Sequence, residues 1–566
     1  MKITLACFII PLFAVSATAQ TTLYGDTPGG HMGERFDVLG DVNGDGVDDI
    51  VVGYPLDSSQ GIDAGRVLVL SGIDGSALRN HYGHALGDQF GSQVAAAGFV
   101  DSDSVPDYMV AAVGYGTAKG AAYVFSGATG AQLHFMRGFN ADDRLGTSIS
   151  RAGDVNGDGH EDMLVGAPGF GSPNSVDWGE GAVYVVSGAD GTPLHSIIGS
   201  LLGERGFGMY VSPLGDVNGD GLADFVASAP RLNNPGWSGS YVHVLSGADG
   251  SVIHQRTGGG DGHGSANHVG IGVSATGDLD GDGVSDWMFG EIVWWWPDDF
   301  HEGHAIHFVS GATGAVLPGH YIYYYQFPAS HPVDPTNVGD VNGDGIPDMA
   351  YMTPEDDLVH VVSGASGNEL QVYGPAVTGE RFGTKIRGVT DVTGDGIRDI
   401  AIGVPDLDMG AGMDSGGIRF VSVDPCNGPM NYCDAVANSS GNTAAISSTG
   451  SNSVASNDFV LEAVGCPAGK PGLFFYGPTQ VSTPYADGVL CVGSGTTGYF
   501  RVQPTVVTSA GGTASRAIDN TVGIYGSGPG QLAAGTTWNF QFWFRDPQGG
   551  PSGFTFSDGL EVTFCP

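Results

Sequence analysis

The feature that most constrains this chain is an acidic nine-residue segment that keeps returning. The first copy reads Asp41-Val42-Asn43-Gly44-Asp45-Gly46-Val47-Asp48-Asp49, and close copies start at Asp154, Asp216, Asp278, Asp340 and Asp391. A worn copy, Phe99-Val100-Asp101-Ser102-Asp103-Ser104-Val105-Pro106-Asp107, falls between the first two. Seven copies about 58 residues apart on average mean one supersecondary unit used seven times, since a long fixed period is the mark of stacked or radial architectures.

Around each copy the same signals recur in order. A Gly/Phe turn comes first, as in Gly33-Glu34-Arg35-Phe36, Gly87-Asp88-Gln89-Phe90-Gly91 and Gly379-Glu380-Arg381-Phe382-Gly383. After the acidic loop a short apolar run ends near Pro, as in Gly166-Ala167-Pro168 and Gly403-Val404-Pro405. An alternating run then closes on Ser-Gly-x-x-Gly, as in Tyr184-Val185-Val186-Ser187-Gly188. β-branched and aromatic residues followed by a glycine turn read as hairpins. Seven units of about four strands predict an all-β, seven-bladed β-propeller, in which radial repetition protects sheet edges. The seventh unit lacks an outer strand, and Thr22-Leu23-Tyr24-Gly25 is expected to supply it.

The acidic loops carry a metal-ligand pattern. Side chains at positions one, three, five and nine can converge with the carbonyl of position seven, all hard oxygens that suit Ca2+. The candidate ligands are Asp41, Asn43, Asp45 and Asp49; Asp154, Asn156, Asp158 and Asp162; Asp216, Asn218, Asp220 and Asp224; Asp278, Asp280, Asp282 and Asp286; Asp340, Asn342, Asp344 and Asp348; and Asp391, Thr393, Asp395 and Asp399. An EF-hand or dockerin loop opens in the same way, but it needs an acidic residue at position twelve, where this chain has Val52, Val165, Ala227, Phe289, Tyr351 and Ile402. Asp/Asn-rich turns without metal are the plainer reading; the ninth-position Asp, present in all six full copies, argues against it. The worn copy lacks the first Asp and the Gly, so about five or six structural Ca2+ sites are expected, with metal contributing to folding.

The ends of the chain set its compartment. Met1-Lys2, an apolar run from Ile3 to Val15 and Ala17-Thr18-Ala19 have the order of a secretory signal over residues 1–19, and no later segment has the apolar length of a membrane span. The expected domains are a propeller over 20–425 and a smaller β-sandwich-like domain over 426–566, where Gly472-Leu473-Phe474-Phe475-Tyr476-Gly477 and Trp538-Asn539-Phe540-Gln541-Phe542-Trp543-Phe544 read as strands. That tail holds every cysteine left after the signal: Cys426, Cys433, Cys466, Cys491 and Cys565. An oxidising compartment allows up to two bridges and one free thiol, with the pairing open. Asp+Glu 61 against Lys+Arg 20, a net charge of −41, excludes nucleic acid as a partner, because a phosphate backbone wants a basic face.

Strand alternation puts the acidic loops at one end of the blades. The loops expected at the other end hold Trp178, Trp237, Trp294, Trp295 and Trp296, with Tyr323, Tyr324 and Tyr325 next along the chain. Aromatic rings beside Asp298, Asp299 and His301 suit a sugar or peptide surface, so Trp178, Trp237, Trp294, Trp295, Trp296 and Tyr324 are the candidate ligand residues. No HExxH or G-x-S-x-G motif is present.

The Phe-Gly turn, the D-x-[DN]-x-D-G-x-x-D loop and Gly-Ala-Pro together resemble the FG-GAP repeats of integrin alpha-chain propellers and related secreted bacterial proteins. The resemblance implies a seven-bladed propeller with calcium in the acidic loops and ligands on the opposite face. The tail loosely resembles disulfide-bearing modules behind repeat domains of exported bacterial proteins. The resulting expectation is a secreted or cell-surface, monomeric adhesion or ligand-binding protein for an extracellular glycan or protein, without a catalytic residue. The alternatives are an exported hydrolase or lyase on the same scaffold and a structural matrix or surface component.

Overall fold

The computed structural model describes residues 21–564 apart from 102, 173–178, 200–204, 231–239, 259–266, 296–300, 327–334, 343–344, 354–356, 377–378, 394–397, 409–413, 424–429 and scattered positions between 434 and 535; the side chains at 21, 267, 293–295, 301–304, 318–326 and 430 are likewise outside the description. The expected signal, Trp178, Trp237, Trp296, Asp344, Asp395, Cys426 and Cys565 therefore lie outside the described residues. The chain forms two compact units, the first ending at Val423 and the second running Asp424–Pro566.

Among the described residues the first unit forms seven four-stranded antiparallel sheets. Blade 1 is built from Phe36–Gly40, Asp49–Tyr54, Arg66–Leu70 and Ala77–Tyr82, hydrogen-bonded in that order. Blades 2 to 6 repeat the plan from Phe90 to Tyr373. Blade 7 takes Ile386–Val389, Asp399–Val404 and Gly417–Ser422, and its fourth strand comes from the other end of the chain: Thr21–Tyr24 runs antiparallel to Gly417–Ser422, with Leu23 opposite Ile418. The first strand of each blade touches the first strand of the next, and that of blade 7 touches that of blade 1. The ring is closed, so the fold is the all-β propeller that the repeat predicts.

Position in the ring dictates strand character. The second strands, such as Asp49–Tyr54 and Asp162–Ala167, are buried from end to end, because neighbouring blades cover both faces; they read as apolar runs without alternation. The fourth strands, such as Ala77–Tyr82, alternate between exposed and half-buried. Glycines in the motifs mark backbone meeting backbone. A Cβ on Gly53 would lie 2.1 Å from the carbonyl oxygen of Gly91, and one on Gly166 would lie 2.1 Å from that of Gly208. The glycine that ends the apolar run of one blade thus abuts the Gly/Phe turn of the next, while Phe36, Phe207 and Phe382 of those turns are buried.

Polar contacts fasten the first blade to its neighbours. Asp37 takes Arg387 of blade 7 at 2.5 Å on one oxygen and the Ala96 amide of blade 2 at 2.9 Å on the other. Burial pushes its carboxyl up, but Arg387 and the Ala96 amide outweigh that and leave it below the usual carboxylate range. Asp48 and Thr390 exchange two hydrogen bonds across the same seam, at 2.8 and 2.9 Å.

The second unit is a five-stranded sheet (Met430–Tyr432, Phe554–Thr563, Thr537–Arg545, Pro471–Gly477, Phe500–Val507), a three-stranded sheet (Ala445–Thr449, Val460–Val464, Ala514–Ala517) and a hairpin (Thr479–Tyr485, Gly488–Gly493). Phe459, Phe474, Tyr476, Phe540, Phe542 and Phe564 form its core. Cys433 is bridged to Cys491, while Cys466 is free and buried, its thiol pushed up to about 12 by desolvation.

Candidate cation loops and the opposite face

Each acidic loop joins the first strand of a blade to the second, and its ninth residue opens the second strand: Asp49, Asp107, Asp162, Asp224, Asp286, Asp348 and Asp399. All seven are fully buried. One oxygen of each accepts the amide of loop position two, from Val42 at 2.8 Å in blade 1 to Val392 at 2.7 Å in blade 7. In blades 1 to 6 the other oxygen accepts the amide of the first glycine of Ser-Gly-x-x-Gly, for example Gly188 at 2.9 Å and Gly311 at 2.9 Å. In blade 7, where Val423 replaces that glycine, the Thr393 hydroxyl donates instead, at 3.1 Å.

The return of the ninth Asp, which in the sequence alone points to metal, therefore has a structural cause independent of it. In blades 1 to 6, the worn copy included, a buried carboxylate pins the loop to the turn after the third strand. The adjoining glycine is required by the same packing. A Cβ on Gly311 would lie 2.0 Å from the Ser285 carbonyl oxygen.

Burial also raises these acids. Desolvation lifts Asp49, Asp107, Asp224 and Asp286 above the usual carboxylate range despite their amide partners, and lifts Asp162 to about 6, with negative charge on Asp158 and Asp154 adding to it. An isolated buried carboxylate resists ionisation; a cation beside it relieves that cost. The first Asp of the loop, half-buried in most copies, is folded over its own turn. Asp41 accepts the amides of Gly44 at 2.6 Å, Asp45 at 3.1 Å and Gly46 at 2.8 Å, and Asp278 accepts those of Gly281, Asp282 and Gly283 at 2.7 to 3.1 Å.

The donor sets fit a hard cation. In blade 5, Asp278, Asp280 and Asp286 bring one oxygen each to within 4.8 Å of one another, and in the worn loop Asp101, Asp103 and Asp107 do the same. The loop read from sequence as the empty one therefore gathers three carboxylates, although Phe99, half exposed, stands where the first Asp would be. Asp282 turns inward on the chain and accepts the Val284 amide at 2.8 Å. Asp344 and Asp395 lie outside the described residues.

The aromatic sector is arranged differently from the sequence reading. Trp294 and Trp295 are not in a loop: they end the second strand of blade 5, Asp286–Trp295, with Trp294 opposite Glu302 and Trp295 opposite His301. Tyr323, Tyr324 and Tyr325 lie in the fourth strand, Val316–Gln326, with Tyr324 opposite His304. Ile292-Val293-Trp294-Trp295 is a β-branched and aromatic run, which prolongs the strand rather than stopping it. Blade 5 consequently has strands of 9 to 11 residues, where blade 1 has 5 or 6. His307 within it pairs with Glu291 and stacks on Phe289.

On the end of the propeller opposite the acidic loops, other residues stand out. A cavity of about 570 Å³ runs across blades 1 to 3, with Glu34, Arg35, Leu56, Gln89 and Arg144 on its wall. Leu56 is 53% exposed, and Ile62 and Leu86, joined through the hydrogen bond from the Gly87 amide to the Ile62 carbonyl, are each 71% exposed. The sequence signal for them is the isolated large aliphatic in a loop otherwise made of small and polar residues. A second cavity of about 440 Å³ at blade 7 is lined by Tyr24, Glu380, Asp406, Asp414 and Arg419.

The FG-GAP repeat family model matches residues 33–70, 145–186 and 210–245, in blades 1, 3 and 4. Integrin alpha pat-2 of Caenorhabditis briggsae is 30% identical over 226 residues, covering 34% of this chain and 18% of its own. Integrin alpha-2 of Mus musculus is 30% identical over 188 residues, 30% of this chain and 15% of its own, and Integrin alpha-PS2 of Drosophila melanogaster is 27% identical over 215 residues, 34% and 15%. The chain thus spans less than a fifth of the length of these relatives. Among the described residues no helix is long and apolar enough to cross a membrane, which says nothing of β-barrels.

Proposed function

Because the chain is an integrin alpha-like protein of FG-GAP repeats, we propose that it is a secreted or cell-surface, Ca2+-stabilised adhesion module that binds an extracellular protein on the face opposite its acidic loops. The observation that carries the cation half is the convergence of Asp278, Asp280 and Asp286 in a loop repeated around the ring. Asp41, Asn43, Asp45 and Asp49 in blade 1, and their counterparts in the other full copies, are the residues that would hold Ca2+; bound there, it would offset the repulsion and burial of the carboxylates. The binding half rests on Leu56, exposed on the wall of the cavity, and on Ile62 and Leu86, exposed in loops of the same blades, since neighbouring exposed apolar side chains mark an interaction surface.

Calorimetric titration of Ca2+ into chelator-treated protein tests the first half, with about five or six sites and a rise in melting temperature as the expected result; no heat and no shift would sink it. For the second half, immobilised extracellular proteins and glycans are probed with the wild type and with Leu56→Asp/Ile62→Asp. Saturable protein binding that the double variant loses supports the reading, whereas binding confined to glycans, or indifferent to the variant, removes it.

A further inference from the structure

The acidic loops are not isolated within their blades. In blade 4 the fourth strand, Val252–Thr257, presents His254, whose Nε2 lies 2.7 Å from the carbonyl oxygen of Gly311 in blade 5. A carbonyl only accepts, so Nε2 carries the proton. The amide of the same Gly311 donates to Asp286 at 2.9 Å, and the other oxygen of Asp286 holds the Leu279 amide at 2.8 Å. A continuous path of three hydrogen bonds therefore runs from the outer strand of one blade to the metal loop of the next.

The path recurs at three more seams. His134 reaches Gly188 at 2.6 Å, His195 reaches Gly247 at 2.8 Å, and in blade 1 Arg79 takes the place of histidine and reaches Gly127 at 2.8 Å. Among the described residues no further histidine contact of this kind follows blade 4. In blade 5 the residue in register with His254 is Pro318, which has no side-chain donor, and in blade 6 it is Gln371, whose neighbouring blade has Val423 in place of the glycine.

Resting on the calcium reading above, the geometry points to His134, His195 and His254 as positioning residues that couple cation binding in blades 3, 4 and 5 to the docking of the preceding blade. Each fixes the glycine that orients the ninth-position carboxylate, so filling a loop tightens the seam and a tight seam raises the loop's affinity, as reciprocal linkage requires. The loop of blade 1 has no such histidine behind it and serves as an internal control.

The test is Ca2+ titration calorimetry on the full chain carrying His254→Phe, which keeps a ring but removes the donor, with His254→Gln as the conservative variant. One site should weaken roughly three- to tenfold in His254→Phe, the scale of one net hydrogen bond, with the other sites unchanged and Gln restoring most of the affinity. Unaltered affinities, with an equal drop in melting temperature in Ca2+ and in chelator, would reduce the histidine to a packing residue and overturn the coupling. Wild-type protein that takes up no Ca2+ would sink the calcium reading and the coupling together, whereas wild type that binds while His254→Phe binds equally well sinks the coupling alone. Should His254→Phe fail to fold, His195→Phe poses the same question at the loop of blade 4.

Discussion

The two units solve the problem of holding sheets together by different means. The propeller packs backbone against backbone through glycine, buries seven aspartates on amide donors and closes on itself. The second unit packs aromatic side chains between two sheets and ties Cys433 to Cys491 across 58 residues. The two are consequently vulnerable in different ways: the propeller's stability is tied to the charge state of its loops, while that of the tail is tied to side-chain volume and a covalent loop.

Withdrawing the proposed Ca2+ puts the heaviest strain on this contrast. Ligand linkage supplies about 4 kcal/mol per site at a thousandfold excess over Kd, so chelation should lower one calorimetric transition by far more than any single substitution does and leave a second one in place. Reductant should move the second. If both reagents shift the same transition, the contrast is wrong.

Next in size is truncation of a buried ring. Phe207→Ala in a blade seam and Phe540→Ala in the tail core should each cost about 3 to 5 kcal/mol, read from denaturant midpoints, but only Phe207→Ala should also weaken Ca2+ binding. Cys433→Ser/Cys491→Ser should cost about 2 to 4 kcal/mol through the freed loop, with no effect on Ca2+ affinity.

The smallest effect is one of sign. Asp162 is raised to about 6 by burial, and its counterparts are raised as well, so between the ordinary carboxylate range and pH 6 the cation-free folded state binds protons that the unfolded chain does not. Stability in chelator, followed by melting temperature, should therefore rise gently as pH falls from about 6 towards the ordinary carboxylate range and be lost as pH climbs through the raised pKa. With Ca2+ present the slope should reverse, because protons then displace the cation.

How much of the molecule is legible in its sequence depends on the range of each contact. Seven blades can be read because the repeat is local, each loop, turn and hairpin being written in consecutive residues. The role of the ninth Asp is hidden because its partner, the Gly311 amide for Asp286, lies 25 residues away in the adjoining hairpin. Trp294 and Trp295 read as loop residues because the other blades end that strand sooner. The histidine contacts are invisible because they join residues more than 50 apart. For the tail, spacing alone leaves the cysteine pairing open, and the register of Thr537–Arg545 against Phe554–Thr563 is what buries Phe540 and Phe542.

The shared seventh blade also sets a schedule for folding. Thr21–Tyr24 finds its hydrogen-bonding partner only when Gly417–Ser422 arrives, about 400 residues later along a chain made from one end. Until then the growing structure is an open crescent with a bare edge at each end, and the final event is a search between distant segments, the slow kind of step in protein folding. A chain interrupted anywhere before Gly417 would keep both edges bare, so closure of the ring reports that the chain has been made through Ser422.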